Sequence, residues 1–250
     1  MSATLLEEAL AAAGLSAPVH WQEVTGSTNA RAAELARDGA PEWTLVGAGH
    51  QTAGRGRLGR VWHDRGGGSL MVSLVLRPAI PAASAGLLTL LAGAAWAEAA
   101  SAVTGLDVRC KWPNDLLLGD AKVGGLLAAS SVDGERLSWV VIGSGINLDE
   151  PEEVQNAAGL GSGVDRRALL GAFLSRFGEG YRAAPGELST IVTSRWSAVS
   201  ATLGRRVVVS SAGHPNREGL ARTLAPDGGL VLETAEGPVV VSSDEVEHLR

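Results

Sequence analysis

The polar chemistry of this sequence is concentrated first in residues 51–70, QTAGRGRLGRVWHDRGGGSL, which hold six glycines and four arginines. Glycine lets the backbone approach a ligand closely, and the guanidinium group of arginine binds carboxylate and phosphate oxygens through paired hydrogen bonds. Arg55, Arg57 and Arg60 lie so close in sequence that their mutual repulsion favours a loop that binds an anion. The segment therefore indicates an anion site, although a solvated basic surface loop has the same composition.

Gly54, Gly56 and Gly59 also spell G-x-G-x-x-G, the dinucleotide-binding fingerprint. That fold needs a helix directly after the glycines and an acidic residue about twenty residues further on. Here a triple-glycine run and a strand pattern follow, and no carboxylate occurs between Asp64 and Glu98. No G-K-[ST] follows the glycines either, so a Walker A loop is excluded. The loop must bind its anion in another way.

Three further polar clusters lie downstream. The run KWPND at residues 111–115 places a cation, an amide and a carboxylate in one turn; Asn can hydrogen-bond an adenine edge and Asp can bind Mg²⁺. Lys122 begins an apolar strand pattern and is a candidate to neutralise phosphate charge in a transition state. Residues 143–147, GSGIN, end another strand pattern with an amide. Each cluster also has a purely structural interpretation, such as an edge-strand charge for Lys122.

The elements that must position these clusters follow from the hydrophobic periodicity. It predicts helices at 5–15, 30–38, Ala85–Thr104, Arg166–Tyr181 and 188–197. Strands are predicted at 19–24, 43–49, Ser69–Leu76, 107–112, Asp115–Leu118, 122–131 and 137–147. After residue 203 short strands alternate with glycine turns, which indicates a small β-barrel. The pattern predicts an α+β fold with a mixed or antiparallel sheet in residues 1–203 and the barrel in residues 204–250.

Composition limits the classes of protein. The 250 residues are 45% hydrophobic, which is enough for one large core and a small second domain. The net charge of −6 disfavours a nucleic-acid binder, and the single cysteine excludes intrachain disulfides and cysteine-rich zinc sites. Residues 1–15 have no basic start and predict an amphipathic helix, while residues 78–97 predict a loop and a buried helix. We expect a cytoplasmic protein that binds neither DNA nor membranes.

Together, the motifs resemble those of the biotin protein ligases in order and spacing. They are Ser27-Thr28-Asn29, Q-x-x-G-R-G-R-x-G-R-x-W at 51–62, K-W-P-N-D at 111–115, K-V-G-G-L-L at 122–127 and G-x-G-I-N at 143–147. The resemblance runs from about residue 20 to the C-terminus. It implies a catalytic α+β domain of the biotin-ligase and lipoate-ligase type, followed by an SH3-like β-barrel. With about 19 residues before the match, it implies the ligase-only class without an N-terminal DNA-binding domain.

The resemblance implies a reaction in two steps. The biotin carboxylate attacks the α-phosphate of ATP, with Mg²⁺, and gives biotinyl-5′-AMP and pyrophosphate. A lysine of the biotin carboxyl carrier protein domain of acetyl-CoA carboxylase or a related carboxylase then attacks this mixed anhydride. Biotin and ATP are substrates here and not prosthetic groups, and the ligase is a monomer or a homodimer. Because the first step joins two anions, fixed cations must cancel their repulsion.

The resemblance also implies which residues act. The catalytic residues are Arg57, Lys122 and Arg55, the last closing the loop over a labile intermediate. Biotin binding is implied for Ser27, Thr28, Gln51, Gly54, Arg55, Arg57, Gly68, Ser69, Leu70, Lys122, Gly124 and Gly125. ATP binding is implied for Arg57, Arg60, Trp62, Lys111, Asn114, Asp115, Lys122 and Asn147. Asp115 is in addition the candidate Mg²⁺ ligand, or else it orients its neighbours.

Two other functions compete with this interpretation. A lipoate ligase uses the same type of chemistry, but its motifs differ from G-R-G-R-x-G-R and K-W-P-N-D. A binding module that grips a partner with its C-terminal barrel would need a degenerate loop, whereas every charged motif position is present.

Overall fold

The computed structural model describes residues 1–63, 66–151, 154–183, 186–210, 216–242 and 245–249. Its helices are α1 (Ala3–Ala12), α2 (Thr28–Arg37), α3 (Ala85–Thr104), α4 (Arg166–Tyr181) and α5 (Leu188–Ala198). Its first seven strands are β1 (Val19–Thr25), β2 (Leu45–Gln51), β3 (Ser69–Leu76), β4 (Val108–Lys111), β5 (Asp115–Leu118), β6 (Ala121–Asp133) and β7 (Arg136–Asn147). The last five are β8 (Arg206–Ser210), β9 (Arg217–Leu224), β10 (Leu230–Thr234), β11 (Gly237–Val241) and β12 (Glu245–His248).

The first seven strands form one mixed sheet in the order β1-β2-β3-β7-β6-β5-β4. Strands β1 and β2 are parallel, and the other neighbours are antiparallel. The α+β class with a mixed sheet is thus confirmed. The pairing places the C-terminal end of β2, the start of β3 and the end of β7 side by side at one end of the strands. The motif residues of three separate segments meet there.

Local sequence explains the element ends. The hydroxyl of Ser27 accepts a hydrogen bond from the backbone N–H of Ala30 and caps α2, which begins at Thr28 and so two residues earlier than the pattern predicts. Helix α3 is rich in Ala and Leu and ends at Gly105, whose φ of 74° suits glycine. The β6–β7 hairpin turns at Gly134, where φ is 59°.

Helices cover the two faces of this sheet unequally. Helices α1 and α3 pack on one face, with α4 and α5 packed against them, and Leu88, Leu91 and Trp96 of α3 are fully buried there. The Trp96 ring stacks on Phe173 of α4 with centroids 4.0 Å apart. Helix α3 is long and apolar enough to span a membrane by composition, but it is the central helix of this core. The other face is covered only partly, by α2.

The alternation of side chains along β3 and β7 decides which residues can reach the open face. Leu70 and Ile146 belong to the core beneath α3. The hydroxyl of Ser73 instead donates a hydrogen bond to the Thr28 hydroxyl of α2 over 2.9 Å. The partly covered face therefore has a polar floor, supported from behind by the packed helices.

Strands β8 to β12 form a separate five-stranded antiparallel sheet in the order β11-β10-β9-β8-β12, as expected for the SH3-like unit. It is attached to the larger part through Trp112, which is 3% exposed. The Trp112 indole N–H donates to the carbonyl of Gly228 over 3.1 Å. The backbone of Cys110, whose thiol is buried, pairs with Val199 and Ala201. These bonds fix the small sheet beside the KWPND turn.

Candidate active site

A cavity of about 1590 Å³ lies over the open face of the mixed sheet and reaches the C-terminal sheet. The residues that line it include Thr28, Gln51, Arg57, Lys122 and His248, so five distant segments of the chain contribute. Its volume exceeds the roughly 300–1,000 Å³ of a typical small-molecule site, so it can hold more than one small substrate. The cavity is therefore the candidate active site.

One end of the cavity is built from a chain of hydrogen bonds between polar side chains. Gln51 accepts from the backbone N–H of Thr28 over 2.7 Å and from its hydroxyl over 3.1 Å. The Gln51 amide N–H lies 3.3 Å from the sulfur of Met71, and Ser73 donates to Thr28. Within the part of the chain that the structure describes, Thr28 thus holds the oxygen of Gln51, and the Gln51 amide nitrogen donates to the Met71 sulfur, a weak acceptor. This end can present an N–H donor to a small polar ligand.

Two glycines of β7 let other side chains lie directly on the floor of the cavity. A Cβ at Gly143 would lie 2.4 Å from the amide oxygen of Asn29, and one at Gly145 would lie 2.6 Å from the Trp62 indole. Any side chain at either position would displace these groups. The Asn29 oxygen and the Trp62 indole nitrogen are both buried without a hydrogen-bond partner among the described residues.

The Gly/Arg segment folds back on itself above this floor. The backbone N–H of Gly56 donates to the backbone carbonyl of Arg60, and that of Trp62 donates to the backbone carbonyl of Gly54. The turn Arg57–Gly59 between them carries Leu58 at a φ of 55°. This fold directs Arg57 across the cavity, where its guanidinium donates to the Asn114 amide oxygen over 3.2 Å. The loop and the KWPND turn are therefore in contact.

The Lys122 ammonium and the Asp115 carboxylate form an ion pair of 2.5 Å on adjacent strands β6 and β5. Their side chains are 39% and 26% exposed, so solvent screens the pair only in part. The backbone of Lys122 also pairs with Asn156 and Ala158, which closes one side of the cavity. Lys122 is thus fixed at both its backbone and its charged end.

The C-terminal sheet supplies the remaining wall. Arg205 pairs with Asp120 of the larger part over 3.5 Å, and His248 of β12 lies beside them. Burial lowers the pKa of His248 to about 4, and the positive charges of Lys111 and Arg205 add to this effect against the opposing charge of Asp120. His248 is therefore neutral at neutral pH.

Most of the residues that the sequence indicated line this one cavity. They are Ser27, Thr28, Gln51, Arg55, Arg57, Arg60, Trp62, Lys111, Asn114, Asp115, Lys122, Gly125 and Asn147. The other five, Gly54, Gly68, Ser69, Leu70 and Gly124, do not line it. The Leu70 side chain is fully buried in the core, and a Cβ at Gly124 would meet Ile146 and Leu116 of that core. Gly68 and Ser69 instead support the wall, through Leu148 and Asn147 respectively.

Comparisons with known proteins identify the family of this chain. Residues 21–147 match the model of the biotin/lipoate A/B protein ligase family, and residues 202–249 match the biotin protein ligase C-terminal domain. The chain belongs to the biotin/lipoate A/B protein ligase family. The predicted family, fold and activity, the activation and transfer of biotin, are thereby confirmed.

Among similar proteins, the biotin–[acetyl-CoA-carboxylase] ligase of Mycobacterium tuberculosis is 34% identical over 90% of this chain and 87% of its own length. The bifunctional ligase/repressor BirA of Bacillus subtilis is 34% identical over 91% of this chain and 73% of its own length. The structure of the Aquifex aeolicus biotin protein ligase in complex with biotin and ATP superposes with a TM-score of 0.73 at 27% identity, covering 93% of this chain and 99% of that one.

Sequence reasoning missed several residues of the cavity. Asn29 follows Ser27 and Thr28 in one of the motifs, so its place on the cavity floor had a signal in the sequence. Gly143 and Gly145 also lay within a motif, but only Asn147 was selected from it. Arg205, Arg206 and His248 had no local signal, because only the packing of the C-terminal sheet brings them to the cavity.

The ionisable residues do not build a metal site on their own. No group of three or more His, Cys, Asp or Glu side chains with suitable geometry occurs within the described ranges. Asp115, the candidate Mg²⁺ ligand, is paired with Lys122. A single carboxylate fits Mg²⁺ only when the substrate phosphates supply other ligands, as is common for nucleotide-bound Mg²⁺.

The lowered pKa of His248 makes a prediction about stability. Because the folded-state pKa of about 4 lies below the ordinary value of 6.5, the unfolded chain binds the extra proton first as the pH falls. The contribution of the neutral His248 ring to the free energy of unfolding is therefore fully present above a pH of about 6.5 and is lost towards pH 4. Over that window the Tm should fall more steeply for the parent chain than for His248→Gln, in thermal unfolding followed by circular dichroism. Parallel Tm profiles would contradict the assignment.

Proposed function

We propose that this cavity performs both half-reactions of biotin–protein ligation, with biotin at the Thr28–Gln51 end and ATP between the Arg57 loop and the KWPND turn. One observation supports this most: the cavity gathers cations from four segments of a chain whose net charge is −6, namely residues 55–60, Lys111, Lys122 and residues 205–206. Among these cations, Arg57, Lys111 and Lys122 each belong to a different sequence motif. A site that joins a carboxylate to a phosphate needs this charge, whereas an acyl or sugar site does not.

At the biotin end, the ligand is a neutral ureido ring with a carbonyl acceptor and two N–H donors. The Gln51 amide nitrogen, whose acceptor among the described residues is the Met71 sulfur, would donate to the carbonyl, and the Thr28 hydroxyl would remain bonded to the Gln51 oxygen. The Trp62 indole, which lies on Gly145, would form an apolar side of the pocket for the ring system and for the nucleotide base. Ser27, also assigned to biotin, caps α2, the helix that begins with Thr28.

At the phosphate end, an oxygen of the biotin carboxylate attacks the α-phosphorus. The new oxygen–phosphorus bond forms as the bond from the α-phosphorus to the pyrophosphate oxygen breaks, so biotinyl-5′-AMP and pyrophosphate result. Lys122 and Arg57 would hold the carboxylate and the α-phosphate together by cancelling their repulsion. Asn114 and Asn147 act mainly as positioning residues, since the amide oxygen and the amide nitrogen of each side chain already form hydrogen bonds within the protein.

The second half-reaction transfers biotin to protein. A deprotonated lysine amine attacks the carbonyl carbon of the adenylate, AMP leaves, and an amide bond forms. The names of the relatives point to the carrier domain of acetyl-CoA carboxylase as the acceptor. We propose residues 1–203 as the catalytic domain and residues 204–250 as the C-terminal domain, in line with the two family matches. Arg55, which is exposed on the loop, would cover the intermediate.

Mg²⁺ is proposed to enter as part of the nucleotide substrate. It would supply charge neutralisation on the phosphates, and Asp115 is the cavity carboxylate that we propose as its protein ligand. The ion pair with Lys122 gives Asp115 a second role, which is to hold the ammonium group in place before substrates arrive.

The first test of the proposal is the adenylation reaction itself. Purified protein with ATP, Mg²⁺ and biotin should release pyrophosphate and hold biotinyl-5′-AMP detectable by mass spectrometry. Lipoate in a parallel reaction should give neither product. An adenylate formed with lipoate but not with biotin would retain the fold and overturn the proposed substrate.

Lys122→Met keeps the length of the side chain and removes its charge. We expect adenylate formation to slow by about 10²–10³-fold, the usual loss for one electrostatic group in such a site. The measurement is the initial rate of biotin-dependent pyrophosphate release at saturating substrates. Arg222→Ala is the matched control, because Arg222 pairs with Glu233 on the C-terminal sheet and does not line the cavity. A normal rate in Lys122→Met would show that its charge is not needed.

Asp115→Asn separates the two roles of the carboxylate. If Asp115 mainly holds Lys122, the substitution should lower kcat by roughly tenfold, about one lost charge-assisted hydrogen bond, and leave the Mg²⁺ concentration for half-maximal rate unchanged. The Mg²⁺ dependence of pyrophosphate release at fixed ATP gives both values. A large rise in the Mg²⁺ requirement would instead assign Asp115 to the metal.

A further inference from the structure

The KWPND turn is held from the C-terminal side by a short relay of hydrogen bonds. The Thr202 hydroxyl, which is fully buried, accepts from the backbone N–H of Trp112 over 3.0 Å. The same oxygen lies 3.1 Å from Nε2 of His248 on β12. The three groups are separated by 90 and 46 residues along the chain, so only the packed C-terminal sheet brings them together.

The protons in this relay can be assigned. The Thr202 hydroxyl has one proton to donate, and a buried hydroxyl needs an acceptor inside the protein. In the described part of the chain, the acceptor within reach is Nε2 of His248. Thr202 therefore donates to an unprotonated Nε2, and the neutral His248 ring carries its proton on Nδ1. The low pKa of His248, caused by burial and by Lys111 and Arg205, is consistent with this neutral form.

The relay ends at Trp112, whose sequence neighbours on both sides line the cavity. Trp112 follows Lys111 and precedes Asn114 and Asp115, which all line the cavity. Its indole N–H is bonded to Gly228 of the C-terminal sheet as well. The turn is thus anchored at both the backbone and the side chain of Trp112. By contrast, Thr28 and Gln51 at the biotin end are bonded to each other and to Ser73 and Met71.

We propose that His248 is a positioning residue for the nucleotide: through Thr202 it fixes the backbone of the KWPND turn, so the C-terminal domain sets ATP affinity without setting biotin affinity. The inference rests on the proposed function for the assignment of ATP to this end of the cavity. It gives His248, which no sequence motif marks, a role that acts through Thr202 and Trp112.

The test measures two affinities by calorimetry, one for a non-hydrolysable ATP analogue with Mg²⁺ and one for biotin alone. His248→Ala leaves the Thr202 hydroxyl without its acceptor, and it should weaken binding of the analogue about tenfold. Its biotin affinity should stay within about twofold of the parent chain, because no bond of the biotin end is touched. Equal losses for both ligands, or no loss for the analogue, would overturn the proposal.

Two conservative variants separate this relay from a general loss of packing. The amide oxygen of His248→Gln can occupy the position of Nε2 and accept from Thr202, so it should restore affinity for the analogue. The shorter side chain of His248→Asn places its amide at the position of Nδ1 and should not restore it. Equal behaviour of the two variants would contradict the relay. Arg222→Ala serves again as the control on the same sheet.

Removal of the hydroxyl provides an independent check. Thr202→Val keeps the shape of the side chain and should weaken binding of the analogue at least as much as His248→Ala, because it also leaves the Trp112 backbone N–H without its acceptor. Thr202→Ser keeps the hydroxyl and should not weaken it. The double variant should bind no more weakly than Thr202→Val alone, since both substitutions interrupt the same relay. Additive losses would show that the two residues act separately. A failure to make biotinyl-5′-AMP would reject the proposed function, but these binding results would still decide the role of His248.

Discussion

Bringing a carboxylate against a phosphate requires fixed positive charge, and the rest of the site depends on how this chain holds that charge. Two like-charged ligands repel each other strongly in a cavity partly shielded from water. Flexible lysines and arginines on a surface would lose much of their effect to screening and to side-chain entropy. Here the Asp115 carboxylate holds Lys122 over 2.5 Å, and the Asn114 amide oxygen holds Arg57 over 3.2 Å. The cations are thus oriented before any ligand arrives.

Holding these groups in place requires a rigid strand beneath them that carries no bulky side chains on the side of the cavity. Gly143 and Gly145 provide the space, because any Cβ there would collide with Asn29 or Trp62. The rigidity comes from the opposite face, where Trp96 donates to Ser144 of the same strand and stacks on Phe173. A strand with glycines on one face and packed side chains on the other serves both needs. This arrangement explains why the long apolar helix α3 lies directly behind the site.

The sequence predicted the parts of the fold that depend on local patterns. The bounds of α3, α4, β3 and β5 agree, because strong periodicity and turn residues such as Gly105, which follows α3, decide them. Leu70 and Gly124 were assigned to the biotin pocket by motif position, although alternation along a strand places Leu70 on the face opposite to Ser69 and Met71. The alternation of side chains along β3 can be deduced from the sequence. The family motifs identify segments of the chain and do not distinguish the two faces of a strand.

What the sequence did not predict is the wall that the C-terminal sheet provides. Thr202 and Trp112 are 90 residues apart, and Trp112 and Gly228 are 116 residues apart. No local pattern encodes such contacts, because each depends on how two sheets dock as units. The polar groups of the open cavity mostly bond to each other, as in the pairs Lys122–Asp115, Arg57–Asn114 and Thr28–Gln51. Substrates must therefore replace existing partners, and this exchange costs less than stripping bare charges of water. A cavity built this way remains stable when empty and still offers its charges when carboxylate and phosphate enter together.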